Sequence, residues 1–96
     1  MRVRFLSTAE REYLTDLRHY TAQAVDLGGA FLDDIDHAVA LLSDHPHIGA
    51  PFDGDIRRLL LRRFHHSLLY VVEADEVVIL AVQHQSRHPD SWRENL

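Results

Sequence analysis

The sequence predicts an α+β domain of order β-α-α-β-β-β, with a helix hairpin packed on one face of an antiparallel sheet. Three observations carry that prediction. Apolar residues recur at helical spacing up to about Asp44 and change to strand-like runs beyond Asp55. Gly49, Pro51 and Gly54 punctuate the stretch between the two regimes. The 96 residues hold enough apolar chain for one core and too little for two, so a single domain spans 1–96.

Arg2–Leu6 alternates polar and apolar side chains and is predicted as a short strand. Ser7-Thr8-Ala9-Glu10 has the form of a capping box, with Ser7 accepting from free first-turn amides and Glu10 reaching back. Ala9, Tyr13, Leu14, Leu17, Tyr20 and Ala24 then form the apolar stripe of a helix over 8–25, with Asp16 and Arg18 off it. Gly28-Gly29 is expected to be the turn between helices, because glycine loses the most backbone entropy on ordering. Phe31, Ile35, Ala38, Val39 and Leu42 predict a second helix that ends near Asp44, ahead of Pro46. Asp33, Asp34, Asp36 and His37 fall off that stripe and read as solvated surface. His47–Asp55 is expected to be loop. Arg58–Phe64, Ser67–Val72 and Val77–His84 are predicted strands, joined by short turns into an antiparallel meander. Ser86–Asp90 reads as turn, and Ser91–Leu96 as a short tail with a single helical turn.

One feature departs from a sheet with one wet face. Leu68, Tyr70 and Val72 occupy one parity of their strand, and Leu69 and Val71 the other. Val77–Val82 is also apolar at both parities. An antiparallel sheet wetted on one side should alternate. The second face therefore needs a cover: the C-terminal tail, a symmetry mate, or a segment of another protein. Little of the chain remains to do this, which favours an external partner.

The net charge of −5 is unevenly spread. Lysine is absent, and all ten cationic side chains are arginines. Residues 5–55 carry −8, whereas 56–72 carry four arginines and no acid. A protein that binds through phosphate neutralisation is usually basic overall, so direct DNA binding by this chain alone is not expected. The absence of cysteine excludes a disulfide framework, a thiol nucleophile and any thiolate metal site. The longest apolar run, Val77–Val82, is far shorter than the roughly 20 residues of a membrane span. Met1–Ser7 lacks the apolar segment of a secretion signal. A cytoplasmic protein without membrane contact is expected. The close histidine sets are His45/His47, His65/His66 and His84/His88. The last suits ligation only on a helix, and Pro89 argues against one, so neither metal nor cofactor is expected.

Three ordered stretches carry a family resemblance. They are Arg57-Arg58-Leu59-Leu60-Leu61-Arg62-Arg63-Phe64, Leu69-Tyr70-Val71-Val72, and Val77-Val78-Ile79-Leu80-Ala81-Val82-x-His84-x-x-Arg87-x-Pro89-x-x-Trp92. With Leu42-x-x-x-Pro46-x-x-Gly49-x-Pro51 upstream, they resemble the ParE branch of the RelE/ParE toxin superfamily, from about Phe5 to Arg93. His65-His66 departs from the proline–aromatic pair of many relatives. The resemblance implies the same element order and the toxin half of a bacterial type II toxin–antitoxin pair, a class linked to plasmid stabilization. It implies a ParD-like antitoxin, bound as a hetero-oligomer, whose acidic C-terminal segment wraps the toxin. ParE-like members poison DNA gyrase, whereas RelE-like members cleave messenger RNA on the ribosome.

RNA cleavage needs a base, an acid and cations around the phosphate. Here the candidates would be His84, Arg58, Arg63 and Arg87. The absence of lysine and the negative net charge weigh against that reading, and favour an inhibitor of DNA gyrase that works by protein–protein contact. A non-toxic interaction module with the same fold is a third reading. Arg57, Arg58, Arg62 and Arg63, with Leu69 and Val71 on the sheet, are the candidate antitoxin contacts. His84, Arg87, Pro89, Trp92 and Arg93 are the candidate target contacts. Trp92 is either a lid on the core or an interface anchor.

Overall fold

A computed structural model describes residues 1–96. Its elements are β1 (Arg2–Phe5), α1 (Ser7–Gln23), α2 (Val25–Asp44), β2 (Ala50–Asp53), β3 (Ile56–Leu60), β4 (His66–Glu73), β5 (Glu76–His84) and a terminal 3-10 helix (Ser91–Asn95). The α+β class and the helix hairpin are as the sequence predicts. The strands form one sheet of order β1-β5-β4-β3-β2. It is mixed rather than wholly antiparallel: β1 lies parallel to β5, with Val3 opposite Val77, and the other pairs are antiparallel. A parallel neighbour needs a long crossover, which the helices and the strands after them supply. The stretch expected as loop, His47–Asp55, contains the additional strand β2. It sits at the sheet edge, where the missing amide of Pro51 is tolerated.

Two helix boundaries differ from the predicted ones. The break between α1 and α2 is Ala24, which is extended at φ −164° and ψ 137°. Gly28 and Gly29 lie inside α2. A Cβ at Gly28 would come within 3.0 Å of the Thr21 Cα, so this glycine serves the close approach of the two helices rather than a turn. The expected capping box does not form. Ser7 is already helical, Leu6 occupies the cap position, and no side chain caps the first turn. The Glu10 amide donates to the Leu6 carbonyl at 2.9 Å.

Ala9 of α1 and Phe31, Ile35, Ala38 and Leu42 of α2 pack on Leu68, Tyr70, Val77, Ile79 and Val82 of β4 and β5. Phe5, Tyr13, Leu17 and Tyr20 flank this core, and Tyr20 meets both Phe31 and Phe64 at about 5 Å between centroids. The side-chain parity of β5 changes at a local irregularity. Leu69 pairs with Ala81 and Tyr70 with Ile79, so Leu80 is the extra residue of a bulge. The register then puts Leu59, Leu68 and Val82 toward the helices, and Arg58, Leu69 and Ala81 on the outer face.

Asp34 is the main correction to the predicted surface. It is 2% exposed rather than solvated. Its carboxylate accepts from the backbone amides of Arg62 at 3.3 Å, Arg63 at 2.9 Å and Phe64 at 3.0 Å. β3 therefore ends at Leu60, and the loop that follows folds back onto α2 instead of extending the strand to Phe64. β1 reaches only to Ile79 on β5. Beyond it, Glu12 and Asn95 close the open edge. The Val82 amide donates to Glu12 Oε1 at 3.1 Å, and Asn95 Nδ2 donates to the Leu80 carbonyl at 2.9 Å.

Candidate functional site

The outer face is the chemically informative one. At its centre Leu69 and Ala81 are fully buried under Trp92, itself 3% exposed, with Phe52 and Ile56 alongside. The tail thus covers much of the surface expected to need an outside partner. It is tied down by Ser91 Oγ donating to Gln83 Oε1 at 2.8 Å and by the Arg93–Asp53 ion pair at 2.8 Å. The Arg93 guanidinium lies 4.6 Å from the Trp92 ring centroid. Trp92 is therefore a lid on a small outer core. Its indole Nε1 is buried and has no acceptor.

Next to this lid lies a hollow lined by Phe52, Arg58, Leu60, Ser67, Gln83, Gln85, Arg87 and Pro89. Leu60 is 51% exposed there. Arg58 leans over the Phe52 ring at 5.7 Å. Arg87 pairs with Glu12 at 2.9 Å. The structure thus brings together Arg58, an antitoxin candidate, and Arg87 and Pro89, target candidates. Phe52, Leu60, Ser67, Gln83 and Gln85 were not among the predicted site residues. Ser67 and Gln83 are polar breaks in apolar strands, and register alone makes them neighbours across β4 and β5.

The other candidates are dispersed. Arg57 is turned to the preceding loop, where Nη1 donates to the carbonyls of Gly49 at 2.8 Å and His47 at 3.2 Å. Arg62 and Arg63 are exposed on the loop after β3 rather than on a strand. Val71 is half-buried, and Leu69 offers no surface beneath Trp92. His84 belongs to the opposite side of the sheet. It pairs in register with His66, whose ring packs on Tyr20 and Phe31, and the two imidazoles are perpendicular at 4.9 Å. His84 Nδ1 accepts from the Ser86 amide at 3.0 Å. Burial, and then the neighbouring His66, push the His84 pKa below the usual imidazole value. His84 and Arg63 therefore do not join Arg58 and Arg87, and no histidine or carboxylate lines the hollow.

Cation pairing separates the arginines. Arg2 and Arg4 pair with Glu76, Arg87 with Glu12, and Arg93 with Asp53. Arg57, Arg58, Arg62 and Arg63 have no carboxylate partner, nor do Arg11 and Arg18 on α1. No three histidine, aspartate or glutamate side chains converge as a metal-binding group. No helix is long and apolar enough to cross a membrane.

A helix hairpin on a five-stranded mixed sheet, with a basic stretch that runs from β3 into the loop after it, defines a small two-layer α+β protein. A solved structure of the chromosomal ParDE toxin–antitoxin system from P. aeruginosa shares this fold, with a TM-score of 0.75 over 88% of this chain and 95% of that chain, at 22% identity. Comparison with curated protein sequences yields no match. The sequence model of the ParE toxin of the type II toxin–antitoxin system parDE matches residues 3–89, and the chain belongs to that family.

Proposed function

We propose that this ParE-family toxin acts in the cytoplasm by protein–protein contact with DNA gyrase, and that a ParD-like antitoxin neutralises it by covering the basic stretch. The observation that carries the reading is the run of arginines at 57, 58, 62 and 63, whose guanidinium groups pair with no carboxylate in a chain of net charge −5. Cations held apart from an abundance of acids in the same chain suit an acidic partner, and such complementarity sets partner choice and on-rate. The outer hollow beside Trp92, rimmed by Arg87 and Pro89, is the proposed target contact, with Arg93 at its flank. His84, on the far side of the sheet, would support this contact only through the turn it begins. The lack of a histidine or carboxylate in the hollow supports inhibition by contact over RNA cleavage, which needs a group to take the 2′-hydroxyl proton.

Expression of the chain without an antitoxin tests this. Gyrase-linked DNA breaks are the expected result. Intact DNA with cleaved transcripts would identify a ribosome-dependent nuclease, and unaffected growth would identify a non-toxic module of the same fold.

A further inference from the structure

The outer hollow that meets the target under the proposed function has a chemistry that narrows what it receives. Its floor is one row of the sheet register, in which Leu60 of β3 stands opposite Ser67 of β4, and Ser67 opposite Gln83 of β5. Ser67 is 6% exposed and Gln83 9%. Gln83 Oε1 accepts from Ser91 Oγ, so the amide nitrogen is the free end of that side chain. Two guanidinium groups rim the hollow. Arg58 lies over the Phe52 ring and pairs with no carboxylate. Arg87 gives one Nη1 bond to Glu12 at 2.9 Å and has further N–H groups to donate. The geometry points to a carboxylate receptor: Arg58 and Arg87 clamp one acidic side chain of the target protein over Ser67 and Gln83, and Phe52, Leu60 and Pro89 receive an apolar side chain beside it.

This inference rests on the proposed function in one respect, that the hollow faces the target. The rest follows from its composition. Every charged group lining it is a cation, and the acids of the surrounding elements, Glu12 and Asp53, are already tied to Arg87 and Arg93. A planar guanidinium matches a carboxylate with two parallel N–H bonds, which an ammonium does not. The Phe52 ring under Arg58 and the Glu12 carboxylate beside Arg87 hold both side chains in place, so less freedom is lost when a ligand arrives. A nucleic-acid phosphate has the same affinity for arginine, but it comes as part of a polyanion, which a chain of net charge −5 repels. The apolar walls also offer nothing to a sugar–phosphate backbone. An acidic residue next to an apolar one on a protein surface suits both halves of the hollow. Its volume of about 350 Å³ admits such a pair and no folded element. An arginine set in a partly desolvated pocket beside aromatic rings is also the usual make-up of a binding hot spot.

Nuclear magnetic resonance of the full, nitrogen-labelled chain tests the clamp without any gyrase. A blocked Phe-Glu-Leu tripeptide and its Phe-Gln-Leu counterpart are titrated to millimolar concentration, with dimethyl phosphate as the phosphodiester probe. The glutamate peptide should shift the signals of Ser67, Gln83 and Gln85. The glutamine peptide should bind about tenfold more weakly, as should the glutamate peptide to Arg58→Gln or Arg87→Gln, because a charge-assisted bond is lost in each case. No shift at these residues, equal binding of the two peptides, or tighter binding of dimethyl phosphate than of the glutamate peptide each overturns the proposal. The comparison of peptides on the wild-type chain decides the matter even where an arginine variant does not fold. Gyrase-linked breaks in cells without peptide binding would overturn the clamp and keep the target. Peptide binding without such breaks would keep the clamp and assign it to a different protein.

Discussion

Asp34 and Tyr70 each settle the backbone of a loop with one side chain. Asp34 holds three consecutive amides after β3, so Asp34→Ala leaves them buried without an acceptor. A loss of about 3 kcal/mol in a urea unfolding titration is expected, with part recovered in Asp34→Asn. Tyr70 is fully buried, and its hydroxyl accepts from the Gly49 amide at 2.8 Å. Burial pushes its pKa up, against the smaller opposing influence of that bond and of Arg57. Tyr70→Phe should cost about 1–2 kcal/mol by the same measurement, since the Gly49 amide is then orphaned. The need of a buried Tyr70 hydroxyl for a partner follows from its place in an apolar strand. The role of Asp34 does not follow from its sequence position: helical periodicity places it off the stripe, and only a distant loop folding back makes it interior.

At the scale of elements, periodicity located both helices, the first strand and the last two. It missed the features that depend on contacts between elements. Gly28-Gly29 suits a turn by backbone entropy, but the close crossing at Thr21 draws Gly28 into α2. Nothing local marks β2, which exists only because β3 offers it an edge, or the side of the sheet that β1 joins. β1 is tied to β5 through its charges: Arg2 and Arg4 both reach Glu76, at 3.2 and 3.0 Å. Those bonds hold the Glu76 carboxyl below the ordinary carboxylate range, the Arg4 hydrogen bond foremost. A depressed carboxylate contributes stability that is present above its unfolded pKa of about 4.5 and is lost as the pH falls through its folded value. The wild type should therefore lose Tm on acidification below that point more steeply than Glu76→Gln, with differential scanning calorimetry at a series of pH values as the check.

For the whole molecule, the charge map read from the sequence gains its meaning from pairing. Carboxylates pair with the guanidinium groups of Arg2, Arg4, Arg87 and Arg93 and with none of those at 57, 58, 62 and 63, where Asp34 binds only backbone amides. Under the proposed function, Arg62→Ala with Arg63→Ala should weaken antitoxin binding about tenfold, mainly by slowing association, and the salt dependence of binding should flatten. Surface plasmon resonance at several ionic strengths measures both. The grouping of Arg58 with Arg87 and Pro89 was not legible in the sequence, because it depends on strand order and on the tail crossing the face. The edge of β5 beyond Ile79 has one more consequence. There a carboxylate and a carboxamide stand where a neighbouring strand would otherwise lie, and so deny that ribbon to another copy of the molecule. Asn95→Ala uncovers the Leu80 carbonyl, and the chain should then creep toward oligomers and fibrous aggregates at high concentration, visible as rising light scatter over hours. A polar plug of two side chains is thus a guard against polymerisation, and its loss would turn a compact protein into a growing one.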